Sequence, residues 1–217
     1  HGVDIGVSPS PFERAERPTG ACVISTINGD SNVPFYKEFA NQGLRAEDAP
    51  IMAFSVAEDE LRGMDKTALV GHLAAWNYYQ SVDTPQNKQF VADFKAYCKK
   101  NNLPDGDKRV TDDPIEAAYL GVHVWKQAVE KAGTTEVNAV RKAVYGQKFL
   151  APGGEIMMDE ANHHTHKPVL IGEIMKDGQI KVVWRSKGLV KPEPWSEYTN
   201  PDKGCDWVKH EGTYKKA

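Results

Sequence analysis

Residues 21–61 read ACVISTINGDSNVPFYKEFANQGLRAEDAPIMAFSVAEDEL. The apolar, β-branched run Ala21–Ile27 suits a strand buried on both faces. Asn28-Gly29-Asp30-Ser31 breaks it with turn residues, and Asp30 or Ser31 is placed to cap a following helix. That helix runs from about Asn32 to Gln42 and stops at Gly43. A second short apolar run, Ile51–Phe54, follows Pro50 and gives way to polar Ser55–Glu60. Two buried strands joined by one helix make a βαβ unit, so the strands are expected to be parallel. Both polar loops then lie at the carboxyl ends of neighbouring strands, the edge where open α/β sheets bind ligands.

Beyond this unit, Leu69–Asn77 reads as a third strand, with Trp76, Tyr78 and Tyr79 clustered at its end. Asp83-Thr84-Pro85 opens a helix to about Lys100, whose expected buried stripe is Phe90, Phe94 and Tyr97. Thr111-Asp112-Asp113-Pro114 opens another over 115–131, with Ala118, Val122, Trp125 and Val129 on one face and Gly133 as its stop. A third helix spans Val137–Tyr145. Strands follow at Gly154–Met158, Pro168–Met175 and Gln179–Arg185, the last two paired through the hairpin turn Lys176-Asp177-Gly178. The tail from Lys187 reads as irregular. Residues 1–20 conflict with the βαβ pattern, which calls for a helix before Ala21. SPSPFERAERPTG has three prolines and no apolar period, so it reads as a foreign, disordered segment.

The chain has 217 residues, with 27 Lys and Arg against 30 Asp and Glu, a net charge of −3. That balance gives no support for a nucleic-acid partner. No stretch approaches the ~20 apolar residues that cross a membrane. The start carries no apolar signal core and begins with His rather than Met, so an upstream part is expected to be missing. Cys22, Cys98 and Cys205 match no zinc spacing and read as free thiols, Cys22 within a core strand. His163, His164 and His166 fall within four residues, yet neighbouring side chains on an extended segment point apart, and a surface loop is the better reading. There is no G-x-S-x-G elbow, P-loop, G-x-G-x-x-G or H-E-x-x-H, so no catalytic residues are assigned and no enzyme is expected. No cofactor or metal is expected either.

Three segments, STINGDSNVPFYKEFANQG, IMAFSVAEDELRG and VGHLAAWNYYQSVDTPQN, resemble the urea and short-chain amide substrate-binding proteins of ABC transporters. These are type I periplasmic binding proteins, and a cytoplasmic amide sensor is similar in the same segments. The resemblance covers roughly Ile24 to Tyr198. It implies an incomplete α/β type I periplasmic-binding-protein (Venus-flytrap) fold, with parallel sheets and flanking helices. Residues 21–110 would form part of ligand-binding lobe two, 111–165 part of lobe one, and 166–217 the C-terminal strands at the hinge or in lobe two and an irregular tail. Roughly half of a complete binding protein would be absent, leaving open sheet edges and apolar faces exposed.

The implied function is that of an extracytoplasmic or periplasmic solute-binding component. It would bind urea or a small amide between two lobes and present it to a membrane permease. The alternative is the cytoplasmic sensor of the same fold. Such a ligand offers N–H donors and one carbonyl, so its site needs acceptors and donors together. Asn28 supplies both and, by the resemblance, follows its strand into the cleft. Gly29 and the loop backbone, Asp30, Ser55 and Glu58 add further polar groups. Trp76, with Tyr78 and Tyr79, could exclude water. Each has a plainer reading: Asn28-Gly29-Asp30 as a turn, Asp30 as a cap, Glu58 as a solvated helix start, Trp76 as core.

Overall fold

The computed structural model describes residues 20–194. The atypical N-terminal segment up to residue 19, Cys205 and the tail beyond Pro194 lie outside the described residues. Within them the βαβ unit forms as expected. Strand β1 (Val23–Ser25), helix α1 (Asn32–Asn41) and strand β2 (Ile51–Ala53) follow in order, and β1 pairs parallel with β2 through Val23↔Ile51 and Ser25↔Ala53. Strand β3 (Leu73–Trp76) adds in parallel on the other side of β2. Two later strands, β7 (Leu170–Ile174) and β8 (Ile180–Arg185), complete a five-stranded sheet in the order β1-β2-β3-β7-β8.

Position in this sheet decides burial. Central β2 loses Ile51 and Ala53 completely from solvent, whereas Ile24 on β1 stays 63% exposed. The expectation of a first strand buried on both faces is therefore corrected: β1 is an edge strand. Cys22 is exposed and precedes the strand rather than lying in the core. The third strand is also shorter than expected. Leu69 is buried as part of a turn, and Gly71 adopts a φ of +85° that a strand does not hold. Neither Asp30 nor Ser31 caps α1; Gly29–Ser31 forms a 3₁₀ turn that runs into the helix without a side-chain cap bond.

The core beneath the sheet gathers Tyr36 and Phe39 from α1, Leu61 from helix α2 (Glu58–Arg62), and Leu170, Ile174 and Ile180 from the hairpin. His72 is wholly buried against Tyr36 and Phe39, and its Nδ1 accepts the Ile51 N–H at 3.0 Å. Burial pulls its pKa down to about 4, so the ring packs as a neutral core residue. The hairpin turn is as read: Gly178 has a φ of +82°, and Ile174 pairs with Ile180.

The rest of the chain builds on a second, smaller sheet. Helix α3 (Pro85–Lys100) is capped by Thr84, whose hydroxyl accepts from Asn87 N, and α4 (Asp113–Ala132) by Asp112, which accepts from Ile115 N. Helix α5 (Val137–Ala143) precedes β4 (Lys148–Ala151), β5 (Gly154–Met158) and β6 (Thr165–His166). These three strands are antiparallel throughout, and β7 and β8 also run antiparallel to their neighbours. The architecture is thus mixed α/β, not parallel in every sheet.

Two helix faces differ from expectation. On α4 the packed face is Leu120, Val124 and Ala128, while Val122 is 66% and Trp125 55% exposed. On α3, Phe90 is buried but Tyr97 is 62% exposed. Both amphipathic patterns are real, but α4 is apolar on two sides, and the covered one faces Ile156 and Phe149.

Candidate functional site

The carboxyl ends of β1, β2 and β3 meet along one edge of the larger sheet, and the six candidate residues gather there. Asn28, Gly29 and Asp30 follow β1 and are exposed. Asn28 is extended at φ −110° and ψ 150°, and its exposed side chain makes no capping bond. Gly29 takes a φ of +62°, where a side chain would be strained. Ser55 is half-buried after β2, and its hydroxyl donates to Ile27 O, tying the second loop to the first. Trp76, at the end of β3, donates from Nε1 to Val56 O at 2.9 Å. Three strand ends are thus laced together by side-chain bonds.

Two expectations change in character. Glu58 is fully buried rather than solvated at a helix start. Tyr78 and Tyr79 are also fully buried, so they are core residues and not an open cleft wall. Tyr79 Oη donates to Ala74 O at 2.6 Å; Tyr78 Oη donates to Asn87 Oδ1 at 2.6 Å and lies 2.8 Å from Thr111 Oγ1.

Behind the edge lies a polar junction between the two sheets. Glu58 Oε1 accepts the Gln80 N–H at 2.6 Å, and Gln80 Oε1 in turn accepts the Thr111 N–H at 2.9 Å. The Gln80 amide also donates to Gln179 Oε1 at 2.8 Å. Next to Thr111 stand Asp112 and Asp113, both buried, and one helical turn on is Glu116, wholly buried. Lys167 reaches Glu116 Oε2 at 2.8 Å and Asp113 Oδ1 at 3.6 Å. Glu116 Oε1 accepts from Gly153 N at 3.3 Å, and Arg185 donates to Gly153 O at 3.1 Å. Burial pushes the Glu58 carboxyl up to about 8, against the Gln80 N–H that favours its charge. Asp112 is pushed up to about 6, again by burial. Asp113 is raised by burial, with Lys167 pulling it back.

Asn32, Gln80, Asp113, Glu116 and Lys167 escaped the sequence reading as site residues. Asn32 is buried in α1, and its amide donates to Ile27 O and Gly29 O, which shapes the Asn28 loop. A polar residue at a helix position that should face the core was the signal for it. The histidine run goes to separate partners. His163 stacks on Tyr145 at 4.1 Å and lies 3.0 Å from Arg141 O, while His166 Nε2 lies 2.8 Å from Asp159 Oδ2. Among the described residues no helix is long and apolar enough to cross a membrane.

A periplasmic binding protein domain model matches residues 13–201. Among curated proteins, the chain is 25% identical over 172 residues to a Leu/Ile/Val-binding protein homolog 6 from Brucella melitensis, covering 77% of this chain and 42% of that one. It is 30% identical over 124 residues to a protein named limonene hydroxylase from Geobacillus stearothermophilus, covering 57% of this chain but 21% of the relative. Among solved structures, a solute-binding protein of an ABC transporter from Rhodopseudomonas palustris, in complex with 3,4-dihydroxybenzoic acid, superposes with a TM-score of 0.66 at 22% identity. That alignment covers 79% of this chain and 46% of the other. An amino acid ABC transporter substrate-binding protein from Pseudomonas fluorescens superposes with a TM-score of 0.67 at 21% identity, covering 82% and 46%. The chain thus spans less than half the length of each of these relatives. Its mixed α/β architecture is the type I periplasmic-binding fold in part, and the chain belongs to the periplasmic binding protein domain family.

Proposed function

We propose that this protein is a solute-binding component of an ABC importer and that it takes urea or a short-chain amide. The observation that carries the reading is the laced edge itself. It sets an exposed carboxamide, Asn28, beside Asp30 and the Ser55 hydroxyl at the carboxyl ends of parallel strands. Asn28 donates to a ligand carbonyl and accepts an N–H; Asp30 accepts a second N–H; the backbone around Gly29 approaches closely because no side chain intervenes. Trp76 shields one side, with its indole N–H already satisfied by Val56 O.

In this reading residues 21–110 belong to one lobe and 111–165 to the other. Gln80, Asn77 and Lys167 join them as the hinge. A ligand that touches both lobes favours the closed state, and a membrane permease reads that closure. The protein works outside the cytoplasm, facing that permease.

Relatives of the same fold were crystallised with benzoate-type carboxylates, which makes the ligand panel decisive. Thermal unfolding is followed with urea, formamide, acetamide, 4-hydroxybenzoate and leucine. A ligand at one hundred times its Kd stabilises by about 2.7 kcal/mol. Urea or an amide should raise the melting temperature and the carboxylates should not. Stabilisation by 4-hydroxybenzoate or leucine alone would overturn the assignment.

A further inference from the structure

The junction behind the edge has a charge imbalance that the solute-binding reading does not use. Four carboxyl groups, those of Glu58, Asp112, Asp113 and Glu116, are buried together, and among the described residues the cation paired with them is Lys167. Lys167 serves Asp113 and Glu116. Asp112 spends one oxygen on the N–H of Ile115. Glu58 has the Gln80 N–H on Oε1 and its own N–H against the carboxyl, and among the described residues its Oε2 is buried with no partner from another residue. Beyond the N–H groups of Glu58 itself and Gln80, which favour its charge, the titratable groups acting on Glu58 are acids and tyrosines. Glu60 shares its own helix, Asp112 stands at the start of α4, and the Tyr78 and Tyr79 hydroxyls come from the segment after β3. Asp112 in turn feels Asp59, Glu60 and Asp113. A buried carboxylate whose charged neighbours are acids is costly even with two N–H groups against it, and the ordinary relief is to keep its proton.

The position of Glu58 gives this proton a mechanical consequence. Its Oε1 holds the backbone of Gln80, and the Gln80 side chain holds the backbone of Thr111, immediately before Asp112. Glu58 and Gln179 belong to the larger sheet's unit, and Thr111 leads into the helix that packs on the smaller one. Two hydrogen bonds in series therefore connect the units, and Glu58 is the first link.

We propose that Glu58 is protonated in the folded protein at neutral pH and that its ionisation loosens the junction between the two sheets, a proton-sensitive latch built into the fold. Ionised, Glu58 faces Asp112 across the junction and repels it; protonated, it lets the two units sit together. The raised pKa of the group agrees with this. An acid whose folded pKa lies above its unfolded value contributes stability that is fully present below the unfolded value, near 4.5 for Glu58, and is lost as pH rises through about 8. Asp112 acts in the same direction over a lower window, from its ordinary value up to about 6.

The test compares wild-type protein with Glu58→Gln between pH 5 and 9. Glutamine retains the acceptor for the Gln80 N–H and cannot ionise. The wild-type melting temperature should fall above pH 6, and the variant should lose most of that fall. At pH 8.5 the Thr111 amide, on the far side of the junction, should exchange hydrogen about tenfold faster in the wild type than in the variant. Parallel pH profiles in the two proteins would overturn the latch, as would equal exchange at that amide. Should the variant not fold, carboxyl carbon-13 titration of wild-type Glu58 decides the matter. A midpoint above 7 supports the proposal, and one at the ordinary carboxylate value rejects it. None of these readouts involves ligand, so the latch and the solute assignment stand or fall separately.

Discussion

Gly172 on β7 shows how a single residue governs the packing of the larger sheet. A Cβ there would collide with Ile180 Cγ2 and come within 2.9 Å of the Tyr79 ring. Gly172→Ala should therefore cost about 1–3 kcal/mol, read from the midpoint of a urea melt. Lys167 is a second such point. It is largely buried between Glu116 and Asp113, so Lys167→Met leaves two acids without their cation and should cost about 3 kcal/mol or more. In the edge itself, Asn28 is exposed, and its amide makes no cap bond among the described residues. Asn28→Ala should leave stability within about 0.5 kcal/mol and weaken urea binding about tenfold, the worth of one well-placed hydrogen-bonding group. These residues differ in how visible they are from sequence. Asn28 was legible because turn chemistry after an apolar run marks a strand's carboxyl end. Lys167 was not, since its partners lie about fifty residues away and are brought to it by the fold.

At the level of elements, α4 is the clearest case of a pattern that sequence could see but not resolve. Leu120, Val124 and Ala128 and the set Ala118, Val122, Trp125 and Val129 both fit a helical period. Which set is buried depends on which layer lies against the helix. Here β4 and β5 take the first set, while Ala118, Val122 and Trp125 of the second face solvent and Val129 is half-buried. Trp125→Lys should hence change the melting temperature little, while reducing self-association at high concentration, as followed by light scattering. The capping of α3 gives a contrasting expectation. Thr84 Oγ1 accepts from Asn87 N at 3.0 Å and donates to Pro152 O at 2.8 Å. Thr84→Ala should cost about 1 kcal/mol or somewhat more, because it removes a cap and a tie between α3 and the β4–β5 turn. That cap was plain in the sequence as Thr before Pro, and so was the Asp-Gly hairpin. The antiparallel second sheet was not, because short strands of about four residues carry too few side chains to declare their direction.

Over the whole molecule, two sheets of different topology are joined by a compact polar junction, with a candidate ligand edge on the larger one. The βαβ beginning was readable because parallel strands need a crossover helix, and both the helix and its stop were written in residues 32–43. The junction was unreadable because Glu58, Gln80, Thr111 with Glu116, Gly153, Lys167 and Arg185 come from six separate places along the chain. At the centre of this architecture is an edge suited to a neutral, hydrogen-bonding solute. Calorimetric titration of the protein with urea and then acetamide, with Asn28→Ala measured alongside, tests it most directly. Saturable heat is expected with at least one of the two, with a roughly tenfold weaker Kd in the variant. No saturable heat with either, or binding that Asn28→Ala leaves unchanged, would contradict it.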